Sequence, residues 1–136
     1  MIKHISSLGA NVTGVNRRGR NVDGCSKVIK FDKIDEVLPE ADFLYLAVPE
    51  TNETKGMISK KRLDALKHTC GIVNIGRASV MDYEHLRKKL KKNEISGAIL
   101  DVFSEEPIKR NSKFWDTPNL VITPHISSDS KGKYIE

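Results

Sequence analysis

The stretch ADFLYLAVP, residues 41–49, constrains what this chain can fold into more than any other. Phe-Leu-Tyr-Leu-Ala-Val is a near-continuous apolar run ended by a proline. It is far short of the ~20 residues needed to span a bilayer. It also lacks the alternation expected of a strand with one wet face. A run of this kind suits a strand covered on both faces, as in a parallel sheet.

The rest of the chain supplies what such a sheet requires. Residues 2–8 read as a helix end closed by Gly9 at the C′ position. NVTGV, 11–15, alternates like a short strand and runs into the polar, glycine-bearing NRRGRNVDG. The apolar segment 28–31 precedes a short helix around 34–38. Ser59 is placed to cap a helix over 60–67, with Leu63 and Leu66 on one face. Residues 71–75 form the next strand. Asp82 caps the following helix, with Glu84 in its first turn and Leu86 and Leu90 spaced i,i+4. Residues 97–102 and 120–123 are the remaining strands, the last ending at Pro124. Strands alternating with helices predict a doubly wound α/β sheet, and no repeat or linker interrupts the 136 residues.

Composition narrows the function classes. With 38% hydrophobic and 30% charged residues the chain is globular in type. No segment reads as a membrane span or a secretory signal, which predicts a cytoplasmic protein with no membrane partner. The net charge of +5 resides partly in Lys60-Lys61-Arg62 and in the basic positions of 87–92. Both runs lie on helices whose other faces carry leucines, so they read as solvated faces. No reading element accompanies them, and a nucleic-acid partner is not expected. Cys25 and Cys70 stand without a paired spacing and read as free thiols, with no metal site.

Ligands of such sheets bind beyond the carboxyl ends of the strands. The residues just past those ends are Asn16-Arg17-Arg18, Pro49, Gly76-Arg77, 103–106 and His125. Taken singly, each could be structural. Together they describe an edge that handles an anion and moves a proton. Arg77, set among small residues in VNIGRASV, needs an anionic partner or water.

The blocks VNIGRASVMDYEHLRKKLKKNEISGAILDVFSEEP and WDTPNLVITPH, with VPETNETKGMI upstream, resemble the cofactor domain of the D-isomer-specific 2-hydroxyacid dehydrogenases. The match covers about two-thirds of the chain, with its blocks in order. The resemblance implies a partial Rossmann-type sheet and an oxidoreductase that interconverts a small 2-oxo acid, such as glyoxylate or hydroxypyruvate, with its 2-hydroxy acid. It implies a homodimer in the intact form. It assigns catalysis to Arg77, Glu106 and His125, with Glu105 the close competitor for Glu106. Imidazole titrates near neutrality, so His125 can protonate the carbonyl oxygen. Glu106 would orient the ring, and the guanidinium fork of Arg77 would grip the substrate carboxylate.

The same resemblance places Val48, Pro49, Thr54, Ile75, Gly76 and Arg77 beside the nicotinamide, and Asp101 and Ser127 at its carboxamide. Asn16, Arg17 and Arg18 occupy the position that reads the ribose. An acid there favours NAD and an arginine favours a 2′-phosphate, so NADP is preferred over NAD. Ala78 stands where the family most often has glycine, a modest change unless that position needs positive φ. No GxGxxG phosphate loop is present. Residues 1–136 therefore read as a partial dinucleotide-binding domain without its first strand, with the substrate domain absent and activity impaired. A non-enzymatic dinucleotide-binding or interaction module on the same scaffold is the alternative.

Overall fold

The structure, a computed structural model, describes residues 1–127. The chain divides into two compact units, Met1–Pro39 and Glu40–Glu136.

In the first unit, α1 (Ile2–Ser7) ends where Gly9 adopts φ +89, the left-handed turn that the sequence expects there. Strand β1 (Thr13–Asn16) pairs in parallel with β2 (Lys27–Lys30), Val15 opposite Ile29. The short helix expected around 34–38 is instead two 3-10 turns, Phe31–Glu36 and Leu38–Glu40, which bury Ile34 and Leu38. Pro39 explains the choice, because its missing N–H and ring clash prevent an α-helix from running through it.

The second unit carries β3 (Phe43–Leu46), α2 (Lys60–Asp64), β4 (Gly71–Asn74), α3 (Tyr83–Lys91), β5 (Gly97–Leu100) and β6 (Leu120–Ile122). The four strands are parallel in the order β3-β4-β5-β6. Leu46, Asn74, Leu100 and Ile122 stand opposite one another in register, so the strands end level. Whatever follows those four residues lies along one edge. This is a Rossmann-type α/β sheet, and among the described residues no helix is long and apolar enough to cross a membrane.

The core lies between this sheet and its helices. Ile72, Leu63, Leu86 and Leu90 are essentially inaccessible, and burying such a side chain contributes ~1.5–3 kcal/mol. Asp82 caps α3 as expected, accepting from His85 N at 2.9 Å.

Three further expectations change. The strand 43–46 is not covered on both faces: Phe43 is 76% exposed, and Ile99 and Val121 open onto the same side. Successive right-handed crossovers that step the same way along a sheet lay their helices on one face, and α2 and α3 do so in contact. Ser59 occupies the N-cap position of α2 without a capping hydrogen bond, and that helix stops at Asp64. The basic run on α3 is not wholly solvated. Lys89 is buried with its ammonium 3.2 Å from Asp64, and Arg87 is buried beside Glu84. Lys89 also lies 3.6 Å from Glu94, while Arg87 Nε is buried without a hydrogen-bond partner among the described residues.

Candidate active site

The level strand ends gather the sequence-predicted residues of the second unit. After β4 the chain turns sharply at Gly76. A Cβ there would lie 2.6 Å from the Val48 carbonyl oxygen, so only glycine lets the two loops meet. Below the turn, the carboxamide of the fully buried Asn74 fixes its shape. It accepts from Gly76 N at 3.0 Å and donates to the Arg77 carbonyl at 3.1 Å and to Tyr83 Oη at 2.9 Å. Tyr83 in turn donates to the Val102 carbonyl at 2.9 Å and packs edge-on against Phe103 and Phe114. Burial pushes its phenol well above the ordinary range, so it stays a neutral donor. Sequence reasoning missed Asn74 and Tyr83. The signal was a polar residue closing the apolar strand GIVN.

The Arg77 side chain emerges from this turn into solvent, one guanidinium nitrogen 2.8 Å from the Gly76 carbonyl. Ala78 begins the next 3-10 turn buried and without positive φ, so the glycine expected there is not needed. The segment after β3 folds back on itself. Thr54 Oγ1 donates to the Pro49 carbonyl at 2.7 Å and accepts from Thr51 N at 2.8 Å. Gly56 N and Ile58 N bond the carbonyls of Ser79 and Val80, tying this segment to the arginine turn. Val48 and Ile75 are half-buried at the strand ends.

On the far side of the edge, His125 Nδ1 lies 2.8 Å from Glu106 Oε2. The other carboxylate oxygen accepts from Phe103 N at 2.7 Å. The hydrogen bond from His125, helped by that amide, holds the Glu106 carboxyl below its usual range. With Nδ1 occupied, Nε2 is the ring nitrogen available to a ligand. Glu105 pairs instead with Lys109 at 2.9 Å, which separates the two candidate acids. Asp101, just past β5, is buried and accepts from Thr123 Oγ1, Ile126 N, Ser127 N and Ser127 Oγ. Burial alone would raise its carboxyl. The hydrogen bonds outweigh it and bring the value down to about 2.

The first unit holds its own loop. Asn16, the last residue of β1, accepts from Arg18 N and Arg20 N at 3.1 Å each and donates to the Arg20 carbonyl at 2.8 Å. Its carboxamide thus shapes NRRGR, with Gly19 at φ +64, and leaves Arg17 and Arg18 exposed.

The profile of the D-isomer specific 2-hydroxyacid dehydrogenase, NAD binding domain, matches residues 1–127. A glyoxylate reductase from Pyrococcus furiosus is 48% identical over 99 residues, 73% of this chain and 29% of that enzyme. The chain thus spans about a third of the curated relatives it matches. The phosphoglycerate dehydrogenase of Lactobacillus plantarum superposes with a TM-score of 0.87 at 32% identity, covering 93% of this chain and 41% of that one. An NADPH-dependent glyoxylate/hydroxypyruvate reductase from Sinorhizobium meliloti gives 0.87 at 27% identity, covering 98% and 69%. By sequence over nearly its whole length and by fold, this chain belongs to the NAD-binding domains of the D-isomer specific 2-hydroxyacid dehydrogenases.

Proposed function

We propose that this chain carries the catalytic edge of an NADP(H)- or NAD(H)-dependent reductase of small 2-oxo acids, acting on a substrate of the glyoxylate or hydroxypyruvate kind. The observation that supports it best is the Glu106–His125 pair at 2.8 Å, on the same sheet edge as the exposed guanidinium of Arg77.

The donor set suits a nicotinamide dinucleotide. Val48, Pro49, Thr54, Ile75 and Gly76 offer a partly apolar lip at the strand ends, and Arg17 and Arg18 offer cationic forks to a phosphate. No acid stands beside Asn16, which favours a 2′-phosphate and hence NADP. When bound, the nicotinamide supplies the hydride that the carbonyl carbon receives. The residues of this chain do the rest. Arg77 holds the substrate carboxylate bidentately and polarises the adjacent carbonyl. His125 presents a proton from Nε2 to the carbonyl oxygen, while Glu106 fixes the ring through Nδ1. Addition of hydride to carbon and a proton to oxygen gives the 2-hydroxy acid, and the reverse sequence oxidises it. In the same reading the protein works in the cytoplasm as a homodimer.

The test places residues 1–127 in the matching segment of the Pyrococcus furiosus glyoxylate reductase. The hybrid should oxidise NADPH when glyoxylate is added, and more readily than NADH. A folded hybrid that binds nucleotide but leaves glyoxylate untouched would overturn the reading in favour of a binding module.

A further inference from the structure

The Tyr83 hydroxyl has two hydrogen-bond partners, and they belong to different halves of the candidate site. Oη accepts from Asn74 Nδ2 at 2.9 Å and donates to the Val102 carbonyl at 2.9 Å. These directions are not interchangeable. Asn74 Oδ1 is taken by Gly76 N at 3.0 Å, so Nδ2 faces the phenol, and a carbonyl can only accept. Burial keeps the phenol protonated. Each end of the hydroxyl then leads to a candidate catalytic residue. On one side, Asn74 Nδ2 also holds the Arg77 carbonyl at 3.1 Å. On the other, the Val102 carbonyl shares its peptide unit with Phe103 N, which donates to Glu106 Oε1 at 2.7 Å. A peptide unit is planar and rigid, so a hydroxyl that fixes its oxygen also aims its N–H. A hydrogen bond to that oxygen polarises the same unit and strengthens the N–H as a donor.

We infer that Tyr83 is a positioning residue for both halves of the site: its hydroxyl joins the arginine turn to the 102–103 peptide and so holds Arg77 and the Glu106–His125 pair in one fixed relation. This rests on the catalytic reading of those three residues, whereas the bridge itself stands on geometry. Asn74, Tyr83 and Val102 are all buried, so water does not compete for the hydroxyl. The phenol ring is held as well. It packs edge-on against Phe103 and Phe114 at centroid distances of 5.7 and 6.0 Å, and those two rings meet at 5.3 Å. The backbone adds a tie of its own, Asp101 N to the Asn74 carbonyl at 3.0 Å, which keeps β4 and β5 level where the bridge crosses. That tie sets the strands but not the rotation of the 102–103 peptide plane. The Tyr83 hydroxyl sets the plane.

The first readout needs no variant. In the unaltered 136-residue chain the Tyr83 hydroxyl proton should be resolved by NMR, protected from solvent exchange and with cross-peaks to the Asn74 carboxamide. A hydroxyl in free exchange with water would overturn the inference. Tyr83→Phe then removes the oxygen and keeps the ring packing. The Phe103 amide should move upfield, and the Glu106 carboxyl should titrate about one pH unit higher, because a bond that favours its charged form is loosened. The Gly76 amide should exchange faster in the same variant, since the Asn74 carboxamide has lost a partner. A folded Tyr83→Phe chain with Phe103 and Glu106 unchanged would overturn the bridge. In the hybrid reductase, Tyr83→Phe should lower kcat for glyoxylate about tenfold, and by much less when combined with Glu106→Ala. Equal losses in the two backgrounds would mark packing alone and overturn the inference. Glyoxylate left untouched by the unaltered hybrid, with the hydroxyl protected and the Glu106 titration responsive, would instead contradict the catalytic reading.

Discussion

Asn16 and Asp101 make an instructive pair. Each stands at the end of a parallel strand, and each organises a loop through its side-chain polar atoms. Asn16 is neutral and half-exposed, and its three bonds reach only two to four residues along the chain. Asp101 is buried and held ionised, and its four bonds reach 22 to 26 residues away. The first loop is a local structure that the sequence writes out in one stretch. The second exists only once β5 and β6 have paired. In the proposed reaction a cationic loop facing a phosphate tolerates some play, while a histidine delivering a proton along one direction does not. It is the turn carrying His125 that is held by long-range bonds.

Substitution at each side chain separates the two loops most sharply. Asp101→Asn removes a charged acceptor from four donors, and hydrogen bonds to charged groups are worth roughly 1.5–3 kcal/mol each. With one oxygen retained, a loss of about 3 kcal/mol is expected in urea unfolding of the second unit. An unchanged midpoint would break the comparison.

Acid should act on the same contrast. The Asp101 carboxyl lies at about 2, depressed from 3.8 by its hydrogen bonds against the opposing pull of burial. Its contribution is therefore fully present above the unfolded value and is lost as pH falls from about 4 through about 2. That amounts to about 2.5 kcal/mol at one pKa unit per 1.36 kcal/mol. The Glu106 carboxyl, also depressed, loses its contribution in the same direction as pH falls. The Asn16 loop has no titrating group at its centre. Amide exchange followed from pH 5 downward should show the 123–127 turn opening before the segment 16–20 (about pH 5 being simply above the unfolded carboxylate range).

Gly76→Ala tests the shared floor of the arginine turn. A Cβ at 2.6 Å from the Val48 carbonyl must displace that loop, and overpacking of this kind costs about 2 kcal/mol. Thermal unfolding and the accessibility of Arg77 to phenylglyoxal would both report it. The smallest effect is expected at Asn16→Ala, about 1 kcal/mol of local order with the His125 turn untouched. Loosened exchange confined to residues 17–20 would confirm the autonomy of that loop.

The candidate site is legible in the sequence only as a set of positions after the strands. Arg77, Glu106 and His125 each follow a recognisable strand, and the level register of Leu46, Asn74, Leu100 and Ile122 places the segments after those strands along one edge. What could not be read depends on contacts between distant residues. Nothing in TPHIS announces a positive φ at His125, because the bonds that flank it run to Asp101, 22 to 26 residues away. Asn74 and Tyr83 look like an ordinary strand end and helix start until they are seen bonded to each other beneath the arginine turn. The open face of β3 is not legible in the sequence for a related reason. A continuous apolar run shows that a strand is apolar on both sides, but which side a helix covers follows from the handedness of the connections.

The account turns on Arg77 and His125 acting on one substrate from the ends of β4 and β6, and kinetics of the hybrid reductase measures that most directly. His125→Ala should lower kcat for glyoxylate by about 10²–10⁴-fold, the usual worth of a positioned acid, with NADPH binding retained. Arg77→Ala should raise KM for glyoxylate as well as lower kcat, because in the proposed reaction it holds the carboxylate in both ground and transition states. Full turnover in either variant would contradict the account.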